Sequence, residues 1–281
     1  MSAFTSVSTS ASPLVLPSRA RADVVSRLRA AGCVFAEDEA RLIISTARTL
    51  DDVELMVGRR ASGLPLEHVL GWADFCGLRV AVGPGVFVPR RRTEFLVERA
   101  VALAPPRAVV LDLCCGSGAV GAAVARHPSV APGELHAADI DPAAVRCARR
   151  NVVAVGGLVY EGDLDAPLPP TLRGRVDVLV AIVPYVPSAE VGLLPREARD
   201  HEPRSALDGG GDGLDLLRRV AASAPKWLAP GGHLLVETSE RQAPRAADIL
   251  GRCGLSAEVA RSEELDATVV TGAGAGPGAW N

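Results

Sequence analysis

Short apolar runs alternate with helical stretches over the second half of the chain, a pattern typical of a mostly parallel sheet covered by helices. The runs are rich in Val, Leu and Ala and are bounded by turn residues, as strands are. Since no helix separates the last two runs, one of them is expected to be antiparallel at the sheet edge. The predicted strands are Val109–Leu113, Glu134–Asp139, Leu158–Glu161, Val176–Ile182, His233–Thr238, Leu255–Arg261 and Ala267–Gly272.

Residues 18–72 carry apolar positions at helical spacing instead, which predicts a small helical domain. We interpret this domain either as a stabilising or docking cap or as a substrate-recognition module. Its predicted helices are one with Val24, Val25, Leu28 and Ala31 on one face, a second over Glu37–Leu50, and a third over Val53–Arg60 with Asp51-Asp52 as its N-cap.

Three further segments complete the predicted organisation. Residues 73–90 are predicted to form a β-hairpin, in which Leu78–Val82 pairs with Val86–Val88 across the turn Gly83-Pro84-Gly85. Residues 91–272 form the α/β domain, and its first helix is predicted over Arg92–Leu103. Residues 1–17 lack the basic start of a signal peptide and are predicted to be a disordered leader, while the Gly-rich residues 273–281 are predicted to be a flexible tail.

Composition narrows the class of protein. The 281 residues are 48% hydrophobic and 22% charged, enough to bury a substantial core, and the net charge of −3 gives no general attraction to nucleic acid or anionic membranes. No apolar run approaches the ~18–20 residues that span a bilayer. The six cysteines lack a C-x-x-C or a metal-ligand spacing, so we expect no metal and a cytoplasmic protein.

Ligands of open parallel sheets bind beyond the carboxyl ends of the strands, so the residues at those ends are the candidate contacts. After the first strand, a glycine-bearing turn allows positive φ and leads into a helix N-terminus, whose free N–H groups face a ligand. The turn and its preceding acid consist of Asp112, Cys114, Cys115, Gly116, Ser117 and Gly118.

Acidic residues end the next two strands. Asp139, followed by Ile140, is placed to accept two hydrogen bonds from a ribose diol, whereas Asp141 suits a helix N-cap. Asp163 is placed to accept from an adenine amino group, and Leu164 to pack on the ring.

The turn departs from the dinucleotide fingerprint G-x-G-x-x-G, because Cys114 stands where the first glycine would be. A ligand with an adenosine but no phosphate fits better, which points to S-adenosylmethionine. After the fourth strand, Ile182-Val183-Pro184-Tyr185 ends the regular structure, since proline does not continue an interior strand. We expect these four residues to form the catalytic wall, with the tyrosine ring directed into the cleft.

From about Arg21 to Gly272 the chain resembles the HemK/PrmC family of release-factor glutamine methyltransferases. The family methylates the side-chain amide nitrogen of a glutamine with S-adenosylmethionine. The resemblance implies a Rossmann-like, seven-stranded methyltransferase domain with a small N-terminal helical domain and a hairpin linker. It implies S-adenosylmethionine as cofactor and a release factor, or another protein or peptide, as acceptor. The matching motifs are Gly85-Val86-Phe87-Val88-Pro89-Arg90, Thr93-Glu94, the LDLCCGSG turn with Asp139, and Glu202-Pro203-Arg204 with Ala206-Leu207-Asp208-Gly209-Gly210 and Asp212-Gly213-Leu214.

Two motifs depart from the family pattern, at two residues each. The family has Asn-Pro-Pro-Tyr where this chain has Ile182–Tyr185. In the family, the Asn side-chain oxygen and the following carbonyl accept the hydrogens of the acceptor amide, and Ile182 has no such oxygen. Loss of one preorganised polar partner typically costs on the order of 10²–10³ in rate. Arg91-Arg92 replaces the family's Pro-Glu, which removes an acid and adds two positive charges.

These departures leave several hypotheses open. The leading one is a methyltransferase acting on a glutamine amide or a related amide or amine. A second is a weakly active or inactive relative that retains cofactor binding. A third is a methyltransferase for a small-molecule or peptide amine that needs no Asn. A fourth, a nucleobase amino-methyltransferase, is disfavoured by the acidic net charge.

Overall fold

The structure is a computed structural model that describes residues 14, 16–131 and 133–274. The chain divides into two compact units between Leu70 and Gly71. The predicted leader and tail lie almost entirely outside the described residues. No helix in the described part of the chain is long and apolar enough to cross a membrane.

The first unit is helical, and its core is formed by Val24, Leu28, Ile43 and Val57. The helix predicted to start after Asp51-Asp52 begins earlier, because Thr49 is its N-cap. The Thr49 hydroxyl accepts the Asp52 N–H, and the Asp52 carboxylate accepts the Thr49 N–H in return. The helices are α1 (Ser18–Ala30), α2 (Ala36–Thr46), α3 (Leu50–Ala61) and α4 (Leu66–Leu70).

The second unit opens with a hairpin whose predicted pairing is wrong. Strand β1 (Trp72–Phe75) pairs antiparallel with β2 (Leu78–Ala81), and the segment 86–88 is in no strand. The turn lies at Cys76 and Gly77, both at positive φ, as a two-residue hairpin turn of the type I′ class requires. Because the turn comes before residues 78–81, these residues form the second strand of the hairpin. The segment 86–88 is therefore not paired in the hairpin, and Val86 and Phe87 line the cavity described below.

A seven-stranded sheet forms the body of this unit, in the order β5-β4-β3-β6-β7-β9-β8. The pairs from β5 to β7 are parallel, whereas β9 is antiparallel to both β7 and β8. One of the last two strands is thus antiparallel as predicted, but it is second from the edge, and β8 is outermost. The strands are β3 (Val109–Leu113), β4 (Glu134–Asp139), β5 (Leu158–Glu161), β6 (Val176–Ala181), β7 (Leu228–Thr238), β8 (Ser256–Ser262) and β9 (Ala267–Ala273).

Helices cover both faces of the sheet because alternate strand residues point to opposite sides. Val110 and Val180 pack in one cluster with α5 and α6, whereas Leu111 and Leu179 pack in another with α9 and α10. Because β5, β4, β3 and β6 are parallel neighbours, their carboxyl ends lie side by side at one end of the strands. The helices are α5 (Glu94–Leu103), α6 (Ala119–Arg126), α7 (Pro142–Val152), α8 (Arg196–His201), α9 (Asp215–Trp227) and α10 (Ala243–Arg252).

Candidate functional site

The turn between β3 and α6 is built on three residues at positive φ: Cys114 (55°), Gly116 (55°) and Gly118 (74°). A Cβ on Gly118 would lie 2.6 Å from the Val152 side chain, so this position requires glycine for space as well as for conformation. Cys114 adopts the left-handed conformation that glycine would adopt without strain. The backbone at Cys114 therefore has the left-handed conformation that is typical of glycine.

Asp139 joins this turn to the end of β4. Its Oδ2 accepts the Gly116 N–H at 2.8 Å and its Oδ1 accepts the Asp141 N–H at 2.9 Å. Burial raises the pKa of Asp139. A carboxylate has about four acceptor sites, so each oxygen keeps capacity for a ligand hydroxyl. Asp141 caps α7 through the Ala143 N–H at 2.7 Å, as predicted.

Asp112 lies beneath the turn rather than in the cavity. It is 1% exposed, and its Oδ2 accepts the Gly121 N–H at 2.8 Å. A Cβ on Gly121 would lie 2.9 Å from that oxygen, which explains the glycine there. The other oxygen, Oδ1, is buried without a hydrogen-bond partner. Burial raises the pKa of Asp112 to about 7.

The third strand end contributes Asp163 and Leu164. The Asp163 carboxylate accepts a hydrogen bond from Nη2 of Arg219 at 2.7 Å, in a pair whose side chains are about half exposed. Leu164 is buried and has a positive φ of 48°. Arg219 has no signal in the sequence, because it lies on α9, far along the chain from the strand end that it pairs with.

These strand ends surround one cavity of about 350 Å³, within the range of about 300–1,000 Å³ that is typical of ligand pockets. Four of the predicted site residues lie behind the lining: Asp112, Gly118, Val183 and Tyr185. The predicted residues that do line the cavity are Cys114, Cys115, Gly116, Ser117, Asp139, Ile140, Asp163, Leu164, Ile182 and Pro184.

Two further segments line the cavity, one from the predicted linker and one from a family-like motif. One contains Phe87, Pro89 and Arg90, and the other runs from Pro203 to Asp208. They are joined by Glu202, which is 6% exposed. Its carboxylate accepts from Nη2 of Arg90 at 2.5 Å and from the Val88 N–H at 3.1 Å. The family-like motifs at these two places therefore belong to one structural feature.

At the far end of the cavity, Ile182 is half-buried beside the buried Pro184. The Tyr185 ring, which was expected to point into the cleft, does not line the cavity. The Tyr185 hydroxyl instead donates to Oε1 of Glu237 at 3.1 Å and accepts from Nη2 of Arg92 at 2.7 Å. Its carbonyl accepts from Nε2 of Gln242 at 2.9 Å. Tyr185 thus supports the wall from behind.

Comparison with known proteins places the chain among the methyltransferases. The family model described as "Methyltransferase small domain" matches residues 77–184. A crystal structure of a methyltransferase from Pyrococcus furiosus shares the fold, with a TM-score of 0.54 and 16% identity, over 71% of this chain and 90% of that one.

Closer relatives define the family. The release factor glutamine methyltransferase of Geobacter sulfurreducens is 38% identical over 224 residues, which cover 77% of each chain. The enzyme of the same name from Mycolicibacterium smegmatis is 40% identical over 214 residues, 75% of each chain. This chain belongs to the release factor glutamine methyltransferase family and is an S-adenosylmethionine-dependent N-methyltransferase. The resemblance seen in the sequence motifs is confirmed.

Proposed function

We propose that this chain binds S-adenosylmethionine in the cavity beyond β3, β4 and β5 and methylates a glutamine side-chain amide of a peptide chain release factor. The observation that carries the proposal is the continuity of one cavity. Its lining includes Asp163 and Asp139 at the ends of β5 and β4, the Cys114–Ser117 turn after β3, and Ile182 and Pro184 after β6, and this is the order of these strands in the sheet. A cofactor and the residue aligned with the family's acceptor site would therefore share one cavity.

The residues of the cavity suit S-adenosylmethionine. Asp139 is held by two backbone N–H groups and offers its remaining acceptor capacity to the ribose diol. Ile140, which is 59% exposed, and Leu164 offer apolar contacts to the adenine ring. When bound, S-adenosylmethionine supplies a methyl group activated by its sulfonium charge.

The charges of the lining favour such a cationic group. Two arginines line the cavity, and each is paired with a carboxylate, Arg90 with Glu202 and Arg219 with Asp163. Asp139 is paired with backbone N–H groups rather than with a cation. The lining consequently has a net negative charge near the Gly116 turn, and this charge attracts a positively charged sulfonium.

On the acceptor side, the chain must orient an amide whose lone pair is delocalised. Ile182 offers no hydrogen-bond acceptor, so the main-chain carbonyls after β6 are the acceptors that remain for the amide hydrogens. We expect this arrangement to support slow methylation, since one preorganised partner is worth on the order of 10²–10³ in rate.

Two measurements test the proposal. Isothermal titration with S-adenosylhomocysteine tests the cofactor site, and absence of binding would contradict it. Incubation with methyl-labelled S-adenosylmethionine and a bacterial release factor, followed by mass spectrometry of its peptides, tests the acceptor. A methyl group on a glutamine side chain is the expected result.

The exposure of Ile182 to the cavity favours a second candidate function, methylation of a small-molecule or peptide amine. A neutral amine already has a free lone pair and needs no partner to orient an amide plane. In the same assay, methylation of added amines with an unmodified release factor would support this candidate and contradict the first.

A further inference from the structure

Four side chains from three segments meet behind the acceptor end of the cavity: Arg92, Thr93, Tyr185 and Glu237. The Glu237 carboxylate, at the end of β7, is 3% exposed. Its Oε1 accepts from Nε of Arg92 at 3.1 Å and from the Tyr185 hydroxyl at 3.1 Å. Its Oε2 accepts from the Thr93 hydroxyl at 2.6 Å. We call this group the Glu237 cluster.

Arg92 is the cation of the Glu237 cluster, and it binds two members at once. While Nε donates to Glu237, Nη2 donates to the Tyr185 hydroxyl at 2.7 Å. The forked guanidinium suits this bridge, whereas an ammonium is a single point charge. A buried carboxylate is costly without a charge partner, so Arg92 also offsets the desolvation of Glu237.

The cluster is directly connected to the cavity wall. Thr93 lines the cavity next to Arg92 in the chain, and Pro184 lines it next to Tyr185. Because the Tyr185 carbonyl is held by Gln242, the tyrosine is fixed at both its backbone and its hydroxyl.

The next residue extends this connection. The Val186 N–H donates to the Leu207 carbonyl at 3.1 Å, and the Val186 carbonyl accepts the Gly209 N–H at 2.8 Å. The segment that follows Pro184 is therefore joined to the 203–208 segment, which also lines the cavity. A displacement of Tyr185 would move both linings.

We propose that Arg92 is a positioning residue of the acceptor wall, which holds Pro184 and the 203–208 segment in place by bridging Tyr185 and Glu237. The inference rests on the proposed function, since it assigns a role in methyl transfer to the acceptor. Arg92 stands where the resembling family has Glu, so this bridge distinguishes the chain from that pattern. A Glu here would place a second carboxylate beside buried Glu237.

Steady-state methylation of a bacterial release factor by the full chain tests the proposal. We expect Arg92→Gln to lower kcat about 10- to 100-fold, because small misplacements of reacting groups have effects of this size. The KM for S-adenosylmethionine and the affinity for S-adenosylhomocysteine should stay within about twofold, since the contacts proposed for the cofactor lie elsewhere. Arg92→Lys should restore part of kcat, because it keeps the charge but not the bridge.

Arg91→Gln is the matched control, since Arg91 is an adjacent exposed arginine outside the Glu237 cluster and the charge change is the same. Equal kcat values for the two Gln variants would overturn the proposal. So would a parallel loss of kcat and of S-adenosylhomocysteine affinity in Arg92→Lys, which would indicate a general structural defect.

Hydrogen exchange separates this proposal from the proposed function. If the release factor is not methylated by the unmodified chain, the proposed acceptor is wrong, and exchange at the amides of 185–186 then decides the role of Arg92. Faster exchange there in Arg92→Gln than in Arg91→Gln supports positioning of the wall. Identical exchange overturns it.

Discussion

The Asp139 carboxylate accepts the backbone N–H of Gly116 at 2.8 Å, which ties the end of β4 to the turn after β3. The residue proposed to bind the ribose diol therefore also holds the turn that lines the proposed cofactor cavity. Asp139→Asn should weaken binding of S-adenosylhomocysteine about tenfold or more, because an amide NH₂ would face a backbone N–H, and hydrogen bonds to charged groups contribute about 1.5–3 kcal/mol. Isothermal titration measures the effect.

Asp163→Asn is the control for that variant. Asp163 lines the same cavity, but it is about half exposed, and its ion pair with Arg219 is of the kind that contributes about 0–1 kcal/mol. We expect its affinity loss to be clearly smaller than that of Asp139→Asn. Equal losses would indicate that Asp139 has no special role in the site.

Ile182→Asn should increase glutamine methylation of a release factor, by on the order of 10²–10³, because it supplies an oxygen acceptor at the cavity end. Mass spectrometry of the modified peptide measures the gain, and Ile182→Leu keeps the position apolar as a control. An unchanged or lower rate in the Asn variant would favour the amine acceptor.

Gly118→Ala should destabilise the protein more than Gly116→Ala. Both residues have positive φ, which costs a non-glycine residue about 1–2 kcal/mol. A Cβ on Gly118 would also overlap Val152, and overpacking costs about 1–3 kcal/mol more, whereas a Cβ on Gly116 meets no protein atom within 4 Å. Urea denaturation measures both effects, and equal destabilisation would contradict the described packing.

For Gly116→Ala, the larger effect should be on the cofactor. Gly116 lines the cavity, so its added methyl group occupies ligand space. We expect a loss of S-adenosylhomocysteine affinity, together with only the loss of about 1–2 kcal/mol of stability that positive φ causes. Unchanged affinity would show that the ligand does not approach this backbone.

Asp112 should make stability depend on pH. Burial raises its pKa to about 7, whereas the ordinary pKa of Asp is about 3.9, so between these values the folded state binds a proton that the unfolded state does not. Stability is therefore highest below pH 4 as far as this group is concerned, and it decreases as the pH rises to 7, by on the order of 4 kcal/mol at most.

Asp112→Asn should remove this dependence while keeping an oxygen for the Gly121 N–H. Urea denaturation between pH 5 and 8 should show a flatter profile and a stability gain above pH 7. Asp74→Asn, at an exposed position on β1, is the control. If Asp112→Asn and the unmodified chain lose stability in parallel as the pH rises, Asp112 is not the responsible group.

Local patterns were sufficient for most of the sheet. The predicted and observed bounds of the strand at Val109–Leu113 are the same, as are those at Glu134–Asp139 and Leu158–Glu161. Apolar runs bounded by turn residues specify these strands without reference to the strands that they pair with in the sheet. The prediction of the hairpin failed because the alternating residues 78–82 are able to pair with a strand before them or with one after them. The positive φ values of Cys76 and Gly77 form the turn that selects the preceding strand, β1.

By itself, the sequence determined the class of fold, the strand ends that line the cavity, and the family to which the chain belongs, since these follow from local spacing and motif order. The tertiary structure decided which residues reach the cavity. It placed Asp112 and Tyr185 behind the lining and brought Arg219 to Asp163 and Arg92 to Glu237. Residues far apart in the chain meet only through packing of the sheet and its helices, which no local pattern encodes.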